Sequence, residues 1–246
     1  MPRGRCHFAL LHKFHEVLRK ERPEAAELAD RHLPDFLAGS GSPDGMRYIG
    51  RMGKLATHFY VENRKDTWGK AVSGMFNTHP DLADPGKLPD RDLAIVLGYI
   101  SHLTVDEAFR DTVTSHVHGI ENWRPIIQGL WSLVDELDVG YSRLVSELDE
   151  FRRDDCVGFI DCKMVREYLE LVRPWNAEKD SWKIEKVFLK LVESDVPLDI
   201  AKQNWLRNRD RARPFLDDSR KSEFVERAVS LSLTESLHYL DGYYLR

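Results

Sequence analysis

Apolar residues recur at intervals of three and four along almost the whole chain, the spacing that lines one face of an α-helix. Phe8, Leu11, Phe14 and Leu18 form one such stripe near the start. Pro23 is placed to open a second helix through Leu28 and Phe36, which the pattern ends at Gly39-Ser40-Gly41-Ser42. A third helical segment carries Met52, Leu55 and Phe59, and a fourth carries Val72, Met75 and Phe76. His79 to Pro89, with three prolines and a glycine, reads as a loop. Asp90 or Asp92 then caps a long helix with Ile95, Tyr99, Phe109 and Val113 at helical spacing on what should be its buried face. Beyond Gly119 the stripe Trp123, Ile126, Ile127, Leu130, Val134 and Leu137 predicts a strongly amphipathic helix. Further helices are expected around 165–172, 183–192, 200–207 and 224–239. No segment alternates apolar and polar residues as a half-buried strand would. The expected fold is all-α, a multi-helix bundle in a single domain spanning 1–246, with about eight to ten helices. Gly119 to Asn122 is the one plausible seam, dividing 1–118 from 119–246.

Composition adds exclusions to this picture. A chain of 246 residues buries a sizeable core, and 42% hydrophobic with 31% charged residues describes an ordinary globular protein. The net charge of −5 comes from interspersed acids and bases with no Lys/Arg tract, so nothing points to nucleic acid. The longest apolar run, Leu93 to Ile100, falls far short of the ~20 residues a membrane span needs, so no stable membrane insertion is expected. The start of the chain is amphipathic and lacks the apolar core of a signal peptide. Cys6, Cys156 and Cys162 are odd in number and lack metal-ligand spacing, which suits reduced thiols. The expected location is the cytoplasm.

The candidate chemistry lies in histidines and carboxylates. His102 and Asp106 stand four residues apart, about one helical turn, and so share a face. A buried imidazole and carboxylate are costly unless something satisfies both. A metal ion would, and so would a simple hydrogen bond between the two. His7 falls on the first apolar stripe, Asp44 follows Ser42-Pro43 in the glycine-containing turn, and His58 lies between Leu55 and Phe59. Singly, Asp44 reads equally as a helix cap and His58 as a core histidine. Together the five offer nitrogen and oxygen donors without thiolate, a set suited to zinc, manganese or iron. Three uses stay open: a hydrolase, a non-haem iron oxygenase or oxidase, and a non-catalytic helical protein with a structural metal site. There is no P-loop and no nucleophile elbow. The scattered tryptophans suit core or pocket walls.

The successive motifs MP-x4-H, FLAGSGSPDG, THFY and LGYISHLTVDEAF resemble those of the zinc-dependent phospholipase C family, over roughly residues 5 to 115. The resemblance implies an all-α bundle in which Asp44, His58, His102 and Asp106 bind one zinc. It implies further that Asp106 bridges to a second ion whose other ligand is His7, and that Asp44 acts as general base toward the attacking water. Residues 1–118 would then be the metal-binding half and 119–246 the pocket walls. The expected activity is metal-dependent hydrolysis of a phosphoester or phosphodiester, with a small-molecule or lipid-derived substrate. The chain departs from the family in having Asp111 and Thr112 where another histidine is expected, and no later His-x-x-x-Glu. Glu235 and His238, three apart, are the nearest substitute as further ligands, with a surface ion pair as the plain alternative.

Overall fold

The computed structural model describes residues 2–61, 64–137, 145–177 and 180–245. It is an all-α bundle with more helices among the described residues than the eight to ten expected, because the second predicted helix divides at His32 and a short helix at Val145–Leu148 has no counterpart in the pattern. The N-terminal part holds α1 (Gly4–Glu21), α2 (Pro23–Arg31), α3 (Leu33–Tyr48), α4 (Lys54–His58), α5 (Ala71–Thr78) and α6 (Asp90–Thr112). The rest holds α7 (Trp123–Val134), α8 (Val145–Leu148), α9 (Cys162–Ala177), α10 (Ser181–Leu191), α11 (Leu198–Ala212) and α12 (Asp218–Leu240). The His79–Pro89 loop contains two 3-10 turns, at Pro80–Leu82 and Pro85–Lys87. One small hairpin, β1 (Cys156–Val157) against β2 (Ile160–Asp161), escaped the periodicity reading because two-residue strands are too short to alternate.

Helix α6 is the axis of the molecule. Every residue from Ala94 to Arg110 is buried, so the helix has no solvent face and the apolar stripe understates its burial. Neither Asp90 nor Asp92 caps it through a side chain; Pro89 occupies the cap position. Asp90 pairs instead with Arg31 at 3.3 Å and Asp92 with Arg153 at 2.7 Å.

The glycine-serine stretch is the main departure from the sequence pattern. The second predicted helix stops at Arg31, and α3 then runs straight through Gly39-Ser40-Gly41-Ser42-Pro43-Asp44 to Tyr48. Asp44 is therefore a helical residue and not a loop carboxylate. Tertiary packing explains this. A Cβ on Gly39 would collide with the Ile95 carbonyl, and one on Gly98 with the Phe36 carbonyl and the Ser40 nitrogen. The small residues let α3 and α6 touch backbone to backbone, and that contact outweighs the poor helix propensity of glycine. Pro43 removes one helical hydrogen bond, and Ser42 Oγ donates to the Ala38 carbonyl at 2.9 Å one turn back.

The core forms two clusters that both cross the expected seam. One joins residues of α1, α3 and α6 to Val165, Tyr168, Leu169 and Ile184; the other joins Cys6, Leu10, Val105 and Phe109 to Ile126, Leu130 and Phe224. Among the described residues no helix is long and apolar enough to cross a membrane.

Candidate metal centre

Four helices bring His7, Asp44, His58, His102 and Asp106 together. His7 comes from the first turns of α1, Asp44 from the second half of α3, His58 from the end of α4, and His102 and Asp106 from the middle of α6. None is more than 3% exposed. Two groups of three have ligand atoms all within 4.8 Å of one another: His7, His102 and Asp106, and Asp44, His58 and His102. His102 belongs to both. His58 Nε2 also lies 3.9 Å from Asp106 Oδ2, so the five residues form one continuous cluster.

The surroundings orient the imidazoles toward the centre. His102 Nδ1–H donates to the Ser40 carbonyl at 2.7 Å. A carbonyl can only accept, so Nε2 is left with its lone pair facing inward. His58 Nδ1 lies 2.8 Å from Thr57 Oγ1, whose own proton has acceptors at Gly53 O (3.4 Å) and Lys54 O (3.5 Å). That arrangement again leaves Nε2 as the inward lone pair. Tyr99 OH donates to the Thr57 carbonyl at 2.5 Å and fixes this corner of α4. Phe59, with φ of 55°, ends α4 directly after His58. The rings of His7 and His102 stack with centroids 3.7 Å apart and planes 4° from parallel.

The centre is under-satisfied. His58 Nε2 and His102 Nε2 face each other at 3.3 Å, two lone pairs with nothing between them to attract both. Neither oxygen of Asp106, neither ring nitrogen of His7, nor Oδ1 of Asp44 has a hydrogen-bond partner, although all are buried. The closest pairings, His7 Nε2 to Asp106 Oδ1 and His58 Nε2 to Asp44 Oδ1, are each 3.5 Å. Asp44 Oδ2 alone is held, accepting from Tyr168 OH at 3.3 Å. Burial lowers the His102 pKa to about 3 and, outweighing the nearby carboxylates, also lowers that of His58. For the carboxyls burial acts upward, but the imidazoles outweigh it, taking Asp44 to about 2 and Asp106 far below its ordinary value. At neutral pH the cluster thus pairs two carboxylates with neutral His58 and His102. Buried anions with lone pairs converging on them are expensive unless a cation joins them. The donor set, imidazole nitrogen and carboxylate oxygen, fits a divalent ion.

Glu235 and His238 belong to neither group. Glu235 accepts a short hydrogen bond from Tyr244 OH, and the His238 ring stacks on Tyr243 at 4.9 Å near the end of α12. The Glu-x-x-His spacing is real, but among the described residues these tentative further ligands fall in neither group of converging donors.

The centre opens on one side through Asp44, which lines a cavity of about 360 Å³. Arg47, Tyr48 and Lys54 line it together with Trp123, Arg124, Ile127 and Trp131 of α7 and with Phe188 and Val192. Arg47 and Lys54 escaped the sequence reading. Each stands one turn from a centre residue, Asp44 plus three and His58 minus four; the first spacing has meaning only with Asp44 in a helix, the second on the helical segment already expected around His58. Comparison with family models, curated proteins and solved structures finds no match to this chain.

Proposed function

We propose that the chain is a metal-dependent hydrolase of a phosphoester or phosphodiester, with zinc as the first choice of ion. One observation carries the reading: a buried cluster of three imidazoles and two carboxylates, short of partners, reaches a cation-lined cavity at Asp44. The motif resemblance to zinc-dependent phospholipases C supports the same choice. His58, His102, Asp44 and Asp106 would hold one ion, and His7 with Asp106 a second. A divalent ion bound there supplies an acidified water and offsets charge on phosphoryl oxygens.

The chain's own residues do the rest. Ser40 O and Thr57 Oγ1 hold two imidazoles in the ligand tautomer. Tyr168 fixes one oxygen of Asp44 and leaves Oδ1, the oxygen without a donor, to accept a proton from the attacking water. A carboxylate at about pKa 2 is a weak base, so it serves only a nucleophile whose acidity has already been raised. Arg47, one turn from Asp44 on α3, would orient an anionic ester group.

Metal analysis of the purified protein should find one or two ions per chain, and Asp106→Ala should lose them together with turnover of bis(4-nitrophenyl) phosphate or 4-nitrophenyl phosphate. A folded wild type that takes up no metal sinks the reading. Bound iron with oxygen consumption would move the site to the oxygenase class. A closed structural site is the second reading, favoured by the near-complete burial of His7, His58, His102 and Asp106. Failure of phosphate or a phosphonate to bind the loaded protein would support it.

A further inference from the structure

The cavity beyond Asp44 has a composition unlike that of the whole chain. The protein carries a net charge of −5, yet the cavity is lined by Arg3, Arg47, Lys54 and Arg124 against a single carboxylate, Asp44. Arg3 is committed elsewhere, donating to Asp135 at 3.3 Å and Glu185 at 2.6 Å. Three further cations come from different helices, Arg47 lying over the Tyr48 ring at 5.4 Å and Lys54 over the Tyr60 ring at 4.2 Å. Arg47 lies on α3 and Lys54 on α4, each displaced one turn, about 5 Å, along the axis from its centre residue. Arg124 lies on α7, with its guanidinium 5.7 Å from the Trp123 ring centroid. A ligand that fills the cavity with its ester group at Asp44 also meets Lys54 and Arg124, which line it from α4 and α7. Trp123, Ile127, Trp131 and Phe188 supply an apolar stretch between these charges. The volume of about 360 Å³ suits a small organic molecule and exceeds what a phosphate ion alone would fill.

Resting on the hydrolase reading above, we infer that the substrate is a small dianionic ester: a phosphoester group at the metal centre, an apolar body against Trp123, Trp131 and Phe188, and a second anionic group received by Lys54 and Arg124. The second anion is what selects the substrate. A neutral or cationic group in its place would meet the Lys54 and Arg124 charges in a partly desolvated cavity, where like charge is costly.

Two unreactive phosphonates test this on the zinc-loaded protein, with binding followed by calorimetry and by quenching of the cavity tryptophans. Phenylphosphonate presents the ester mimic and the apolar body; 4-phosphonobenzoate adds the second anion. The wild type should bind the carboxylated probe at least about tenfold tighter, a gain of about 1.4 kcal/mol. The Lys54→Gln/Arg124→Gln double variant should keep its zinc, measured directly, and narrow the preference to about threefold or less. Equal affinity of the wild type for both probes overturns the inference, as does an equal loss of both in the double variant, which would assign these cations to the ester group itself. Either result leaves the hydrolase reading standing. If the zinc-loaded wild type binds neither probe, that reading falls as well.

Discussion

Two buried ionic clusters lie close together in this molecule and are built on opposite plans. Arg3, Asp135 and Glu185 form a charge-paired set: one guanidinium bridges two carboxylates, at 3.3 and 2.6 Å, over the Phe188 ring at 4.4 Å, with Arg3 Nε and Asp135 Oδ1 left without a hydrogen bond. His7, Asp44, His58, His102 and Asp106 are buried at least as deeply, yet their inward atoms lack partners. The first cluster brings its own counter-charge; the second leaves room for one. Burial alone is therefore no sign of function, nor is a single unbonded atom; the sign is two buried carboxylates among imidazoles with no Lys or Arg of their own among the described residues.

The largest effect expected from breaking this contrast lies in the charge-paired cluster. Arg3→Met strands two buried carboxylates and should destabilise the protein by about 3–5 kcal/mol in denaturant unfolding, while zinc affinity of the folded protein changes little. A large loss of zinc affinity would mean that the clusters are coupled and the contrast is false. The open cluster should behave the other way. Zinc at about one hundred times its Kd should stabilise the wild type by about 2.7 kcal/mol, and Asp106→Ala should abolish the gain in a thermal melt. An equal gain in the variant would place the ion elsewhere.

A smaller effect sharpens the comparison at the level of helix contacts. Gly98 of α6 lies against the Phe36 carbonyl of α3, and Gly129 of α7 lies against the Asn208 carbonyl of α11. Alanine at either position overpacks a backbone contact, which costs about 1–3 kcal/mol. Only Gly98→Ala should also weaken zinc binding, because α3 carries the Ser40 carbonyl that orients His102. Calorimetric zinc titration of the two variants separates them.

The smallest effect is a pH dependence. Burial raises the Asp135 carboxyl to about 6 in spite of Arg3. The folded protein then holds a proton that the unfolded chain releases near its ordinary value of 3.8. Between those limits the folded state binds more protons, so this group stabilises most in acid and its contribution is lost as pH rises through about 6. Asp135→Asn should remove that downward slope from the stability profile measured between pH 4 and 6. An unchanged slope would show that another group is responsible.

Much of the centre was legible beforehand, for a local reason. His102 and Asp106 share a helix turn, and helix geometry alone sets them on one face. His7 sits on its apolar stripe for the same reason. Asp44 lies in the cluster, but its local sequence predicts a turn where the structure has a helix. Gly-x-Gly-x-Pro is the local signature of a turn, and only the approach of α6 makes it a helix. Arg47 lies one turn from Asp44 only on that helix, whereas Lys54 and His58 share the separate helix α4. Glu235 and His238 show the converse: their spacing suits a ligand pair, but α12 does not bring them into either group of converging donors.

Sequence by itself determined the all-α class, the course of most helices and the residues of the candidate centre, because these follow from periodicity and from side-chain chemistry within a turn. Tertiary structure decided what periodicity cannot encode. The α3–α6 backbone contact set the conformation of Asp44, the Ser40 carbonyl chose the tautomer of His102, and α7 closed a cationic cavity over the centre. Each depends on groups distant in the chain meeting in space, and a local pattern holds no record of such meetings.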